Sequence, residues 1–332
     1  MKKVRIAHIG CNLHSHATQI FSALAAQPGL FEIVGYALPE DERETAGEKR
    51  CATFAGYREM TVEEILSDAT IDAVTVETEE LRLTRYARMA LAAGKHVHME
   101  KPGGIDLGEF KALIREAKAS GKILHLGYMY RYNPAIREVL SRARRGELGE
   151  IYSVEAQMSC HHRAPLREFL GRYPGGMMFY LGCHLIDLIL QLQGAPEKVI
   201  PCNTATGIDG VVSEDCGIAL LCYPHGVSLA KTCAAEFGGF RRRQLVISSS
   251  RETVEIRPLE YGTEAEMYTD VCIYREHRWS EVGCARTVGP FDRYHAMMQS
   301  FGCLVAEGRE NPYTPDYELL LYRTLLAACG IG

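Results

Sequence analysis

Val4-Arg5-Ile6-Ala7-His8-Ile9-Gly10-Cys11-Asn12-Leu13-His14-Ser15 is a short apolar run followed by a glycine turn. Behind it Ile20, Phe21, Leu24 and Ala25 share one helical face, which stops at Pro28-Gly29. The stretch reads as strand, turn, helix. Arg5 and His8 break the apolar run, so it lacks the continuous core of a signal peptide. The alternation continues outward from this unit. Residues 31–38 read as a strand, 61–66 (TVEEIL) as a helix with a Thr61/Glu64 capping box, and 71–76 as a buried strand. A helix over 83–93 stops at Gly94, a strand covers 96–99, a helix over 107–119 stops at Gly121, and 122–126 is a further strand. Repeated strand–helix alternation predicts an α/β domain over residues 1–127, a Rossmann-type doubly wound parallel sheet with helices on both faces.

The pattern changes after Gly127. A helix over 133–145 has Pro134 in its first turn, and strand-like runs then dominate at 151–159, 198–203, 216–223, 227–235, 244–249 and 253–258. Tyr223-Pro224-His225-Gly226 reads as a hairpin turn, and helices are expected at 178–192, 294–306 and 315–328. Residues 128–332 are therefore expected to form a C-terminal α+β domain with a large open, mostly antiparallel sheet, serving substrate binding and oligomerisation. A length of 332 residues suits two domains of about 150 residues each.

With 47% hydrophobic and 24% charged residues the composition is that of a globular protein. Thirty-seven Lys+Arg against 42 Asp+Glu give a net charge of -5, without the basic field that nucleic acid requires. The most apolar stretch, 177–192, carries His184 and Asp187, so no membrane span is expected. Twelve scattered cysteines with no CxxC pair fit free thiols in a reducing cytoplasm. The charged stretch 40–50 and Arg241-Arg242-Arg243 both read as solvated, and His125, His225, His277 and His295 as structural or surface residues.

On the dinucleotide fingerprint GxGxxG, the first turn keeps Gly10 and carries Asn12 and Ser15 in the other glycine positions. Asn tolerates a left-handed backbone and Ser permits close helix packing, so Gly10, Asn12 and Leu13 are candidates to approach a pyrophosphate at the helix N-terminus. Where a ribose-binding acid usually ends the second strand the chain has Leu38, a cofactor-binding candidate by position, with Glu40 nearby to reach the ribose, so NAD and NADP both remain open. Gly94-Lys95-His96-Val97-His98-Met99-Glu100-Lys101-Pro102 sets a lysine at the C-terminal end of a buried strand. There its charge can favour a developing alkoxide.

This segment resembles the glucose-fructose oxidoreductase / inositol dehydrogenase / rhizopine catabolism (Gfo/Idh/MocA) family. So do Gly127-Tyr128-Met129-Tyr130-Arg131-Tyr132-Asn133-Pro134 and the run Gly175-Gly176 through Cys183-His184-Leu185-Ile186-Asp187. The resemblance implies Lys101 and His184 as catalytic residues, and Thr78, Glu79, Glu100 and Lys101 beside the cofactor. Arg131 and Asp187 would face the substrate, or Asp187, three residues on from His184, would orient its imidazole. Tyr180 stands where the family usually has an aspartate, and would hold or relay a proton at a substrate oxygen. Thr78-Glu79-Glu80 replaces the common Thr-Pro-Asn. Cys160-His161-His162-Arg163 reads as a substrate-rim loop through His161 and His162, with no metal expected.

The implied activity is hydride transfer between NAD or NADP and a secondary hydroxyl of a sugar, cyclitol or related polyol, by a cytoplasmic homodimer or homotetramer. Two other readings stay open. One is a redox-neutral glycoside lyase or hydrolase that keeps its NAD, and the other a catalytically silent sugar or nucleotide sensor.

Overall fold

The computed structural model describes residues 2–275 and 281–331; the expectation for His277 lies outside them. The chain forms two compact units, Met1–Met129 with Tyr294–Leu319, and Tyr130–Arg293 with Leu320–Gly332. This division returns residues 294–319 to the first unit, unlike the single cut expected at 127.

In the first unit, strands β1 (Val4–Ile9), β2 (Phe31–Ala37), β3 (Ala73–Val76), β4 (His96–Met99) and β5 (Leu124–Leu126) form one parallel sheet in the order β2-β1-β3-β4-β5. β3 is buried along its whole length, as a central parallel strand covered on both faces must be. The crossovers are α1 (Ala17–Ala25), α2 (Glu42–Cys51), α3 (Val62–Ser67), α4 (Leu83–Ala92) and α5 (Leu107–Ser120). α3 carries the expected capping box, with Thr61 accepting from the Glu64 amide and Glu64 from the Thr61 amide. His98 and His125 are buried and share a 2.7 Å Nδ1–Nδ1 hydrogen bond, and burial lowers His98 to about 4. The Phe301 ring packs against both histidines.

The second unit follows α6 (Pro134–Arg144), whose Asn133 cap accepts from the Ala135 and Ile136 amides. Its sheet contains β6 (Ile151–Ser159), then, beyond α7 (Ala164–Phe169) and α8 (Cys183–Gln193), β7 (Lys198–Thr204), β8 (Cys216–Tyr223), β9 (Gly226–Cys233), β10 (Gln244–Ser249), β11 (Thr253–Ile256), β12 (Tyr261–Gly262), β13 (Met267–Tyr274) and β14 (Cys284–Phe291). The order is β12-β13-β11-β10-β6-β9-β8-β7, with β14 on β13. β6 runs parallel to β9 and every other pairing is antiparallel. α8 covers one face of β6 and β9 with a nearly continuous buried run from Cys183 to Leu190. Two helices complete the chain, α9 (His295–Glu307) and α10 (Pro315–Ala328).

Two surface readings need correction. Arg243 is only 6% exposed, and it donates to Glu260 and to the Tyr130 hydroxyl. The 40–50 stretch does form α2, but its Glu42 is 1% exposed. In both cases a charged side chain is buried because partners inside the fold satisfy it.

Candidate active site

On the first unit, the C-terminal ends of β1, β3 and β4 gather the expected cofactor residues. Gly10 has φ +102, and a Cβ there would lie 2.6 Å from the Thr78 amide nitrogen, so the turn between β1 and the exit of β3 closes only on glycine. Asn12 donates its amide to the Glu77 carbonyl and accepts the His14 amide at 2.9 Å in an Asx turn, without the left-handed backbone that a glycine there would allow. Leu13 is 51% exposed at the tip. Arg50 of α2 donates to the carbonyls of Asn12 and Ser15 at 2.8 and 3.1 Å. Leu38 is half-buried and packs against the edge of the cluster of Cys11, Ala17, Phe21, Ala46 and Phe54.

Four glutamates shape this edge, and three of them, Glu42, Glu77 and Glu80, were not anticipated as site residues. Glu42 accepts from the Cys11 amide at 2.6 Å and the Glu79 amide at 2.7 Å, tying the phosphate-type turn to the loop after β3. Burial raises it to about 7, against the lowering effect of those two amides. Glu80 accepts from Gly103 and Gly104, and burial raises it to about 8. Glu77 is fully buried, and burial together with the neighbouring Glu100 charge pushes it well above the carboxylate range. Burial also pushes Glu100 upward, but His16, whose Nδ1 lies 2.6 Å from Glu100 Oε2, and Lys101 outweigh it and hold Glu100 at about 2. The pair thus favours its proton on Glu77 and its charge on Glu100, where His16 and Lys101 stand.

Lys101 follows directly. It is 3% exposed, and its amide donates to Glu100 Oε1 at 2.8 Å. Its ammonium stands in the field of Glu77, Glu80 and Glu100. Hydropathy could not reveal Glu42 and Glu80, because a glutamate satisfied by backbone amides has the same sequence signature as a solvated one.

A dinucleotide fits this edge. Gly10, Asn12, Leu13, Thr78 and Glu79 gather beside the α1 N-terminus, whose dipole favours an anion, and there the His16 amide donates to Glu100 and the Ala17 amide to the Ser15 hydroxyl.

On the second unit, Gly175 and Gly176 lead into a π-helical turn, Met178–Gly182, that carries Tyr180 and runs straight into α8. Such turns are rare and concentrate at functional sites. The Tyr180 ring lies parallel to Tyr173 at 6.5 Å. His184, in the first turn of α8, is 1% exposed and meets the Tyr130 ring edge-on at 5.1 Å. Arg131 and Asp187 are brought together. Arg131 Nε and Nη2 donate to the Asp187 carboxylate at 2.8–3.1 Å with both side chains 1% exposed, and Gln191 donates to the same carboxylate at 3.0 Å. His161 is exposed and stacks on Phe237 at 4.1 Å, whereas His162 Nε2 lies 2.8 Å from the Cys160 sulfur. No cluster able to hold a metal occurs among the described residues.

Residues 4–128 match the oxidoreductase family with an NAD-binding Rossmann fold, and residues 136–255 match the GFO/IDH/MocA C-terminal domain. A trans-1,2-dihydrobenzene-1,2-diol dehydrogenase of Sus scrofa is 28% identical over 176 residues, 52% of this chain and 51% of that protein. The chain thus spans about half the length of that curated relative. The uncharacterized oxidoreductase ORF334 of Rhizobium meliloti is 25% identical over 98% of this chain and 96% of its own. Among solved structures, KijD10, a 3-ketoreductase from Actinomadura kijaniata in complex with NADP and TDP-benzene, superposes with a TM-score of 0.77. It does so at 21% identity over 97% of this chain and 95% of its own, a likeness of fold. With both domain matches in order along one chain, the protein belongs to the GFO/IDH/MocA family of oxidoreductases.

Proposed function

We propose that this protein is an NAD(P)-dependent dehydrogenase acting on a secondary hydroxyl of a sugar, cyclitol or related polyol. The observation that carries the reading is Lys101: a nearly buried ammonium at the C-terminal end of a central strand, its backbone fixed by Glu100, beside a turn shaped for a dinucleotide. The nicotinamide, when bound, supplies the hydride acceptor. Lys101 orients the substrate oxygen and stabilises the negative charge that grows on it, while Glu100 fixes the Lys101 backbone. His184 takes the hydroxyl proton, and Tyr180 donates a hydrogen bond to a neighbouring substrate oxygen. Arg131 and Asp187 support α8 as a buried ion pair, and His161 and His162 form a rim loop.

The test is a polyol and sugar screen with NAD or NADP, followed by the rise of reduced cofactor. Turnover is expected for the wild type, with losses of about 10²–10⁴ in kcat for His184→Ala and Lys101→Met and dinucleotide binding retained by His184→Ala. Near wild-type turnover in either variant would overturn the assignment. Consumption of a glycoside without accumulation of reduced cofactor would instead establish the redox-neutral course.

A further inference from the structure

The β8–β9 hairpin places two of the twelve cysteines directly opposite each other: Cys216 pairs with Cys233 in the strand register. It is the one cysteine pair so opposed among the described residues. The position within the ladder matters. The next pair outward is hydrogen-bonded, with the Ala234 amide donating to the Asp215 carbonyl at 2.7 Å, so by alternation Cys216 and Cys233 occupy a non-hydrogen-bonded site. At such sites opposed Cα atoms approach to about 4.5 Å, inside the range of about 4.4–6.8 Å that a disulfide spans. The backbone is already closed by the hairpin turn, so forming the bond orders no additional chain.

The two thiols also interact. Facing each other across the ladder, they shift each other's titration in opposite directions, Cys233 downward and Cys216 upward. That is the asymmetry of an attacking and a resolving cysteine. Cys216 is half-buried and Cys233 9% exposed, so a small oxidant reaches the pair more readily than a large one.

We propose that Cys216 and Cys233 form a reversible dithiol–disulfide site, oxidised by a hydroperoxide and reduced by a small-molecule dithiol. In the first step the Cys233 thiolate attacks a peroxide oxygen. The O–O bond breaks, giving a sulfenic acid on Cys233, and the departing hydroxide takes a proton to become water. The Cys216 sulfur then attacks the sulfenic sulfur, the S–O bond breaks, and the hydroxyl leaves as a second water. Two thiols lose two protons and two electrons, and hydrogen peroxide is reduced to two waters. The crosslink pins the end of β9, where the Cys233 carbonyl accepts the Cys160 amide and the Ala234 carbonyl accepts the His162 amide.

The experiment treats the reduced full-length protein with hydrogen peroxide, caps remaining thiols with an alkylating agent and maps non-reduced peptides by mass spectrometry. The expected result is a Cys216–Cys233 crosslinked peptide, a loss of two titratable thiols, and recovery of both with dithiothreitol. Cys216→Ser is expected to abolish the crosslink and leave Cys233 as a sulfenic or more oxidised acid. Finding Cys216 and Cys233 both alkylated once the exposed Cys202 and Cys284 have oxidised would overturn the proposal. So would a crosslink of Cys233 to Cys160, its neighbour across β6.

Discussion

A carboxyl group withdrawn from water has to be neutral, hydrogen-bonded or paired with a cation, and single residues of this chain use each solution. Glu42, at about 7 rather than 4.5, binds its proton more tightly in the fold than in the unfolded chain. Its contribution to stability is therefore complete below pH about 4.5 and is lost as pH rises through about 7. Urea unfolding at pH 5 and pH 8 should show the wild type losing more stability between the two than Glu42→Gln, in which this titration is absent; equal losses would refute it. Asp187 uses the cationic solution. Asp187→Asn leaves the Arg131 guanidinium buried without its counter-charge, so about 3–5 kcal/mol of unfolding free energy should disappear. Replacing both by apolar residues, Arg131→Met with Asp187→Leu, should recover much of that loss. If the double variant is no more stable than Asp187→Asn, the pair is not what the site depends on.

At the scale of elements, the entry to the π-helical turn rests on two glycines with positive φ, 65° at Gly175 and 48° at Gly176. A Cβ on Gly176 would lie 2.1 Å from the Glu214 carbonyl oxygen, which has no room to yield because it already accepts the Met177 amide. Gly176→Ala should lower stability by about 1–3 kcal/mol and move Tyr180, reducing kcat more than it weakens cofactor binding. Unchanged melting and turnover would show that the turn tolerates a displaced backbone. Elements like this were legible where local chemistry marks them: the Thr61/Glu64 box, Pro134 behind Asn133, and the alternation of 151–159 all became what they suggested. Residues 261–290 gave no signal, for a physical reason. β14 is exposed along almost its whole length at the sheet edge, so it has no buried face to write an alternating pattern, and β13 buries Thr269 among its inward positions. The site was half legible for the same kind of reason. Gly10, Lys101 and His184 stand in recognisable motifs, whereas Glu42, Glu77 and Arg243 owe their burial to partners distant in sequence, and a charge run reads as solvated until those partners are known.

Across the whole molecule, the large sheet presents one side to α8 and leaves the other open, with Ile200, Ile218, Leu220 and Val227 between 37% and 48% exposed. An apolar sheet face of this kind is stabilised when a second copy covers it, and a homodimer or homotetramer is expected. Light scattering at micromolar concentration should return twice or four times the mass of one chain, and Leu220→Lys should shift it toward a single chain. A monomeric wild type would remove the oligomer from the reading.

The first unit has a further consequence, in the order of synthesis. Its core closes only when α9 arrives, because Met297, Met298, Phe301 and Leu304 are buried and Gly302 sits against Leu30 and Phe31. Yet most of the second unit, Tyr130–Arg293, is translated between Met129 and Tyr294. At about 5–20 residues per second, the ribosome leaves that apolar seam uncovered for on the order of ten seconds or more. Chaperones have their opportunity in that interval, and the nucleotide-binding half, although begun first, is completed only after most of the other half has been made.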